Sequence, residues 1–456
     1  MNRITNRSWI VVVLALALVA GSVLFVWEFV TQGPDWVYFS GSPHVYDGLK
    51  PEKGVLTDRN GVLLLNLGEG TYATDSQVRR AMLHWTGDRQ GNIATPLLSQ
   101  YLRQMTGFDL LNGVYAYADA PGVMELTLSA KVQTAALEAL GDAKGTVAVY
   151  NYKTGQILCA VSTPSFDPDD VPDVAGDTSG IYDGVYLNRF TQVTYTPGSI
   201  FKLVTTAVAL ETIPDILRQD FTCTGVLEVG GGTVTCERAH GTMGLYEALA
   251  NSCNCTYANI AQQIGGERLQ RYAEAFGITG KLSFDGYSTA AGSLNAADAS
   301  LYELSWAGIG QHTDLVNPCQ FLSFVGAIAN GGAGTVPHVV DRITVGDRVT
   351  YRAEPERMDR IMSADTARIL REMMRNNVEE KYGDENFPDI LVCAKSGTAE
   401  MDGDVASNAL FTGFVMDEEY PLAFIVVVQE GGYGSHTGMP IINKVLTACM
   451  EVLDEE

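Results

Sequence analysis

The chain has 456 residues, with 54 acidic and 30 basic side chains and a formal net charge of −24 at pH 7. This length is enough for one large domain and a smaller one. The strong negative charge argues against nucleic acid and anionic membrane surfaces as partners, although a local basic site can coexist with an acidic surface.

The first predicted element is an apolar helix at residues 9–30, in which Glu28 is the one charged residue. Such a helix would span roughly 33 Å, about the thickness of a bilayer core. Arg3 and Arg7 precede it and no basic cluster follows. This pattern predicts a cytoplasmic tail at 1–8, a retained anchor and an extracytoplasmic remainder. A cleaved signal peptide is the alternative, but the apolar run continues past the small residues where cleavage would occur.

Residues 31–125 carry turn signals and one helical stretch, and we interpret them as a short membrane-proximal stalk domain. The remainder, residues 126–456, forms the predicted large domain. It opens with a helical pattern at 132–140, followed by a β-hairpin pattern at 146–161.

The patterns in the rest of this domain predict an α+β architecture. A long helical region is expected at 164–388, and sheet patterns return at 390–399, 409–414 and 422–428. Apolar residues at helical spacing in 441–453 predict a final helix packed on the sheet. We therefore expect an antiparallel sheet of about five strands with a helical subdomain inserted after its second strand.

Ser199 and Lys202 open an apolar helical stretch directly after Thr196-Pro197-Gly198. A helix that begins at the serine places the two side chains on one face, one turn apart. A neutral lysine amine in that position can take the hydroxyl proton and make the serine a nucleophile. By itself the pair is weak evidence, because serine and lysine at this spacing are common on solvated helices.

Two further motifs follow in the same chain, Ser252-Cys253-Asn254 and Lys395-Ser396-Gly397-Thr398. Read separately, the first is an ordinary helix cap or turn and the second is a polar turn. Together with Ser199 and Lys202, they show the order S-x-x-K, S-x-N and K-[ST]-G. This order resembles the penicillin-binding proteins and the serine β-lactamases.

The segment from Lys53 to Gly61, with the sequence KGVLTDRNG, resembles the membrane-proximal signature of monofunctional (class B) penicillin-binding proteins. That resemblance favours a peptidoglycan D,D-transpeptidase over a β-lactamase. It also implies the α+β fold described above, with flanking helices and an inserted helical subdomain behind a transmembrane helix and a small stalk.

The resemblance implies a role for each motif residue. Ser199 is the nucleophile, Lys202 its base, and Ser252 relays the proton to the leaving amine. Asn254 holds a peptide amide of the acyl donor. The strand residues face the substrate carboxylate, and the oxyanion hole is formed by the backbone N–H groups of Ser199 and Thr398; these substrate-binding strand residues are Lys395, Ser396, Gly397 and Thr398.

The chain has eight cysteines, and no spacing among them matches a familiar zinc motif. Cys223 and Cys236 flank a predicted hairpin at 226–234, which makes an extracytoplasmic disulfide between them plausible. Two unpaired thiols are the open alternative. Cys253 and Cys255 are interpreted as small buried residues. We predict no metal and no cofactor.

The function expected from the resemblance is cross-linking of peptidoglycan stem peptides through an acyl-enzyme that β-lactams also form. A SEDS-type glycosyltransferase in the membrane is the implied partner, since no glycosyltransferase signature is recognisable. The alternatives are a D,D-carboxypeptidase, a β-lactamase, a β-lactam sensor and a non-catalytic scaffold for a wall polymerase. The sequence offers no recognisable carboxylate to activate a hydrolytic water, which favours transfer to an amine.

Overall fold

The computed structural model describes residues 2–37, 46–47, 50–51, 54–106, 121–400 and 406–455. Lys53, which belongs to the class B signature, lies outside the described residues. The α-helices, numbered in chain order, are α1 Asn2–Val37, α2 Ser76–Thr86, α3 Pro96–Gln100, α4 Leu102–Thr106, α5 Ala130–Leu140, α6 Arg189–Gln192, α7 Lys202–Thr212, α8 Leu245–Ala250, α9 Asn254–Ile264, α10 Gly266–Ala275, α11 Leu301–Ala307, α12 Pro318–Ala329, α13 Ala364–Asn377 and α14 Gly434–Leu453.

Short 3₁₀ turns lie at Gly198–Phe201, Ile216–Arg218 and Asp384–Asn386, and one π turn lies at Val378–Tyr382. The β-strands are β1 Tyr46–Asp47, β2 Lys50–Pro51, β3 Val55–Thr57, β4 Leu63–Asn66, β5 Thr71–Tyr72, β6 Gly122–Leu126, β7 Gly145–Asn151, β8 Ile157–Thr163, β9 Phe221–Cys223, β10 Val226–Val229, β11 Gly232–Thr235, β12 Gly241–Met243, β13 Ser283–Phe284, β14 Tyr287–Ser288, β15 Ala333–Thr335, β16 Val340–Val345, β17 Arg348–Arg352, β18 Arg357–Arg360, β19 Val392–Ala399, β20 Asn408–Val415 and β21 Leu422–Val428.

Helix α1 contains the predicted anchor. Its segment Arg7–Gly33 is long and apolar enough to cross a membrane, and an 18-residue stretch within it has a mean hydropathy of 2.8. The large apolar side chains of this segment are exposed, as are Trp9 and Trp27 near its two ends. Because exposed apolar surface of this extent is costly in water, the helix needs an apolar environment around it.

The centre of the molecule is an antiparallel five-stranded sheet in the order β19-β20-β21-β7-β8. Helices α5 and α14 cover one face, and α12 covers the other. Every residue of β21 is buried, because the strand is covered on both faces and must be apolar on both. The predicted sheet and its final helix are confirmed.

A second sheet of six strands has the order β17-β16-β6-β3-β4-β5. Its central strand β6 pairs in parallel with β3 and antiparallel with β16. Strands from both sides of the predicted boundary at residue 126 therefore share one sheet. The sequence did not predict β16 and β17, because they belong to a region expected to be helical and β16 pairs with β6, which lies more than 200 residues away in the chain.

The region inserted between β8 and β19 carries the helices α7 and α9, which pack against each other. It also contains small two-stranded sheets that helical periodicity alone did not predict. The hairpin expected at 226–234 is present as β10 and β11, with Val226 opposite Thr235. This hairpin lies between the two cysteines that were predicted to pair.

Candidate active site

Ser199 and Lys202 meet through a 3₁₀ turn. The helix expected to begin at Ser199 is entered through the turn Gly198–Phe201, and α7 follows from Lys202. Side chains three residues apart eclipse one another in a 3₁₀ turn. The Lys202 Nζ atom consequently lies 2.9 Å from the Ser199 Oγ atom.

Two glycines let this turn pack directly on strand β19. Gly198 has a φ of +52°, and a Cβ atom there would lie 2.4 Å from the Thr398 carbonyl oxygen. A Cβ atom on Gly397 would lie 2.9 Å from the Pro197 carbonyl oxygen. The resemblance placed Gly397 among the substrate-binding strand residues. The structure shows that its missing side chain also allows contact with the turn that carries Ser199.

The Lys202 amine is surrounded by four oxygen atoms. Nζ lies 2.7 Å from the Ser252 carbonyl oxygen and 2.7 Å from Asn254 Oδ1. It lies 2.9 Å from Ser199 Oγ and 3.0 Å from Ser252 Oγ. The first two oxygens can only accept hydrogen bonds, whereas the two hydroxyls can also donate. A neutral amine satisfies this set by donating to the first two oxygens and accepting from a hydroxyl with its lone pair.

Burial favours that neutral form. The Lys202 side chain is fully buried, and this loss of solvation lowers its pKa to about 7. Lys395 is also buried, and burial together with the nearby Lys202 charge lowers its pKa well below the usual value. Burial is therefore the principal cause of the lowered pKa of both lysines.

Ser252 lies between the two lysines. Its Oγ atom is 3.0 Å from Lys202 Nζ and 3.2 Å from Lys395 Nζ. Its φ is +50°, in the left-handed region that a serine seldom adopts. The turn between α8 and α9 therefore holds the hydroxyl in a constrained backbone conformation.

Asn254 contacts the protein at both ends of its side-chain amide. Oδ1 accepts from Lys202, and Nδ2 donates to the Thr235 carbonyl oxygen at 2.9 Å. The sequence predicted a role in holding a substrate amide. In this structure the same groups accept a hydrogen bond from Lys202 and tie α9, which begins at Asn254, to β11.

Strand β19 forms the edge of the sheet beside the turn. Lys395 is buried beneath this edge and donates to the Ser396 carbonyl oxygen at 2.7 Å. Tyr382, which sequence reasoning missed, accepts from the Ser396 N–H at 2.8 Å and lies 2.9 Å from Ser396 Oγ. No motif marked Tyr382, because it reaches the strand from the π turn that follows α13.

A cleft of about 700 Å³ opens over these groups. Its walls include predicted site residues from all three motifs, namely Ser199, Ser252, Asn254, Ser396 and Thr398. The cleft is also lined by Glu237 and Glu400, which the sequence did not single out. In the described part of the chain, neither carboxylate hydrogen-bonds to Ser199 or to Lys202.

Cys223 and Cys236 lie next to this site as free thiols. Their sulfur atoms are 3.7 Å apart, so the pair predicted from the sequence is close in space but is not bonded in this structure. Cys253 and Cys255 are buried, as expected. However, the sulfur atoms of both residues lie within 3.8 Å of the Cys236 sulfur, so these cysteines form one cluster with Cys236.

Comparison with known proteins identifies the same family that the three motifs resemble. The family model described as the penicillin binding protein transpeptidase domain matches residues 145–447. Stage V sporulation protein D of Bacillus subtilis is 30% identical over 416 residues, covering 85% of this chain and 60% of that protein. The peptidoglycan D,D-transpeptidase PbpA of Mycolicibacterium smegmatis is 28% identical over 340 residues, covering 68% of each protein.

Three solved structures share the fold. A D,D-transpeptidase domain from Eggerthella lenta is 26% identical with a TM-score of 0.74, covering 88% of this chain and 98% of that one. Penicillin-binding protein A of M. tuberculosis, solved as a ceftriaxone acyl-enzyme complex, has a TM-score of 0.73 at 23% identity, covering 87% and 98%. A chain of a peptidoglycan synthase complex that coordinates polymerization and crosslinking has a TM-score of 0.62 at 27% identity, covering 72% and 63%. Because the family model spans most of the chain, this protein belongs to the penicillin-binding protein transpeptidase domain family, as its three motifs predicted.

Proposed function

We propose that this protein is a membrane-anchored serine D,D-transpeptidase that cross-links peptidoglycan stem peptides and is acylated by β-lactams at Ser199. One observation carries the proposal. The buried Lys202 amine has two acceptor-only oxygens for its two hydrogens, and its lone pair is left for a hydroxyl at 2.9 Å. That arrangement is what a general base for a serine nucleophile requires.

The reaction has two acyl transfers. Ser199 Oγ attacks the carbonyl carbon of the penultimate D-Ala while its proton passes to Lys202 Nζ. The C–N bond to the terminal D-Ala then breaks, and the proton returns through Ser252 Oγ to the leaving nitrogen. In the second transfer an amine of a neighbouring strand gives up its proton along the same route and attacks the acyl carbon, which releases Ser199.

Substrate binding is assigned to the cleft face of β19. Ser396 and Thr398 offer hydroxyl donors to the carboxylate, and Lys395 lies just beneath them. A bound carboxylate favours the charged form of Lys395 and opposes the effect of burial on its pKa. The backbone N–H groups of Ser199 and Thr398 form the oxyanion hole in this proposal, which the contact of Gly198 with Thr398 supports.

Helix α1 supplies the membrane anchor in this proposal, with its N-terminus in the cytoplasm and the cleft outside. Arg3 and Arg7 on the N-terminal side support that orientation. A SEDS-type glycosyltransferase in the same membrane would provide the glycan strands. The similarity to a chain from a synthase complex that couples polymerization to crosslinking supports such a partner.

The test is to incubate the full-length chain in detergent with a fluorescent penicillin, map the labelled peptide, and follow decay of the adduct by mass spectrometry. We expect label on Ser199, an adduct that persists for hours, and turnover of a thioester donor when a D-amino acid acceptor is added. An adduct lost within seconds would indicate a β-lactamase or carboxypeptidase. A persistent adduct without any turnover of donors would indicate a sensor.

A further inference from the structure

We propose that Cys223, Cys236, His240 and Cys253 bind one zinc ion beside the active site. Each residue contributes one ligand atom, and these four atoms all lie within 4.8 Å of one another. Three thiolates and one imidazole are a ligand set that selects zinc among the common divalent cations. Zinc binding itself does not depend on the function proposed above, whereas the effect on acylation argued below rests on it.

Three of the six separations between the ligand atoms match a tetrahedral zinc site, and the other three are at most 4.8 Å. Zinc binds sulfur at about 2.3 Å and nitrogen at about 2.0–2.1 Å, so tetrahedral geometry separates two sulfurs by about 3.8 Å and a sulfur from a nitrogen by about 3.5 Å. The Cys236 sulfur lies 3.7 Å from that of Cys223 and 3.8 Å from that of Cys253. The Cys223 sulfur lies 3.5 Å from His240 Nδ1.

Neutral thiols in contact would show similar separations, so the distances need a second, independent observation. The backbone N–H groups around the sulfurs provide it. Each of the three sulfurs accepts a backbone N–H: Cys223 from Gly225 at 3.4 Å, Cys236 from Cys255 at 3.3 Å, and Cys253 from Thr256 at 3.4 Å. Hydrogen bonds to sulfur stabilise the thiolate, which is the form that binds metal.

The ligands come from separate segments of the chain, which explains why no zinc spacing was recognisable in the sequence. Cys223 ends β9, Cys236 directly follows β11, His240 precedes β12, and Cys253 precedes α9. Cys236 and His240 also line the active-site cleft, while Cys223 and Cys253 are buried. A cation can therefore reach the site from the cleft and be held against the interior.

The site would act on catalysis through Cys253, which lies between Ser252 and Asn254. A zinc ion would tie this residue to the β9–β12 region and hold the unusual backbone of Ser252 in place. Without the metal, displacement of the Ser252 and Asn254 side chains by about 1 Å would separate them from Lys202. Acylation would then slow by up to about a hundredfold. The proposed role of the metal is structural, with no metal-bound group in the reaction.

The test uses the untagged full-length chain, purified in detergent with a thiol reductant and without chelator. Mass-spectrometric metal analysis should find one zinc per chain. Competition with a chromophoric chelator should show that Cys223→Ser and His240→Ala each weaken zinc binding by at least about tenfold. Cys255→Ser is the matched control, because its sulfur lies 3.5 Å from that of Cys236 but outside the assigned set, and it should retain zinc.

Cobalt exchange keeps the test decisive even if a variant fails to fold. Cobalt in the wild-type chain should show the intense visible bands of a tetrahedral site and strong thiolate charge-transfer absorption. Removing the metal should slow penicillin acylation by about tenfold or more, and adding zinc back should restore it. A metal-free wild-type chain with free thiols would overturn the proposal, as would a Cys223–Cys236 disulfide without metal. Loss of zinc in Cys255→Ser to the same extent as in Cys223→Ser would overturn the assigned ligand set.

Discussion

The two serine turns of the active site are built in opposite ways. Ser199 lies in a 3₁₀ turn that leads directly into α7, and its partner Lys202, three residues later, is the first residue of that helix. Ser252 lies in a turn with a φ of +50°. Its neighbours in space, Lys202 and Lys395, are 50 and 143 residues away in the chain.

The comparison shows that both local and distant constraints position the groups of this site. A nucleophile and base joined by one turn keep their geometry wherever that turn forms. A hydroxyl that must reach two lysines from another segment needs support from its surroundings. The Asn254 bond to Thr235 gives part of that support, and the proposed zinc site gives more.

The largest expected effect is at the nucleophile. Ser199→Ala should abolish covalent penicillin labelling and leave the thermal transition nearly unchanged, because the hydroxyl is the attacking atom and makes few other contacts. Labelling is followed by gel fluorescence, and unfolding by thermal melts. Ser99→Ala, on an exposed face of α3, is the control and should label normally. Persistent label on the Ser199→Ala protein would show that another residue is acylated.

The second-largest effect is expected at Lys202, the proposed base. Lys202→Met keeps most of the buried apolar volume but removes the proton acceptor, so acylation by every ester or lactam should fall by about 10²–10⁴. Rates are measured by stopped or quenched reaction with a reporter β-lactam. The exposed Lys281→Met is the control. A near-normal rate in Lys202→Met would move the role of base to Ser252 and Lys395.

Replacing Lys395 should change selectivity more than the chemical step. Lys395→Met removes a charge-assisted contact worth about 1.5–3 kcal/mol, or about ten- to 150-fold, from donors that carry a carboxylate. Donors that lack the carboxylate should lose much less. The measurement compares kcat/KM for a matched pair of such donors. Equal losses for both donors would contradict the recognition role.

The pH dependence follows from the pKa of Lys202, which burial lowers to about 7. Because the amine accepts a proton only when neutral, acylation should lose up to about tenfold for each pH unit below that value and level off above it. The acidic limb should disappear in Lys202→Met, whose residual rate no longer depends on this group. A wild-type rate that is flat between pH 5 and 8 would refute the assignment.

The smallest expected effect concerns the backbone conformations of Ser199 and Ser252, which Gly and Ala variants at each position compare directly. At Ser252 the left-handed conformation should make the Gly variant more stable than the Ala variant by about 1 kcal/mol. At Ser199, which has right-handed turn geometry, the order should reverse by about 0.5–1 kcal/mol. Thermal or denaturant unfolding of the four variants measures both differences. The same order at both sites would show that the two turns are not built differently.

Sequence reasoning by itself determined the elements whose geometry is local or whose pattern is continuous. The contact between Ser199 and Lys202, the apolar helix, the strands of the central sheet and the hairpin at 226–234 all follow from short-range spacing or unbroken apolar runs. The order of the three motifs determined the family, because each motif carries a residue type that the chemistry needs.

The tertiary structure alone decided how distant segments meet. The pairing of β6 with β16, the support of Ser396 by Tyr382 and the engagement of both ends of Asn254 depend on contacts that no periodicity records. The convergence of Cys223, Cys236, His240 and Cys253 has the same origin. These four side chains approach one another because β9 pairs with β12 and α9 packs against β9 and β11, and the free energy of that packing belongs to several segments together and not to any one of them.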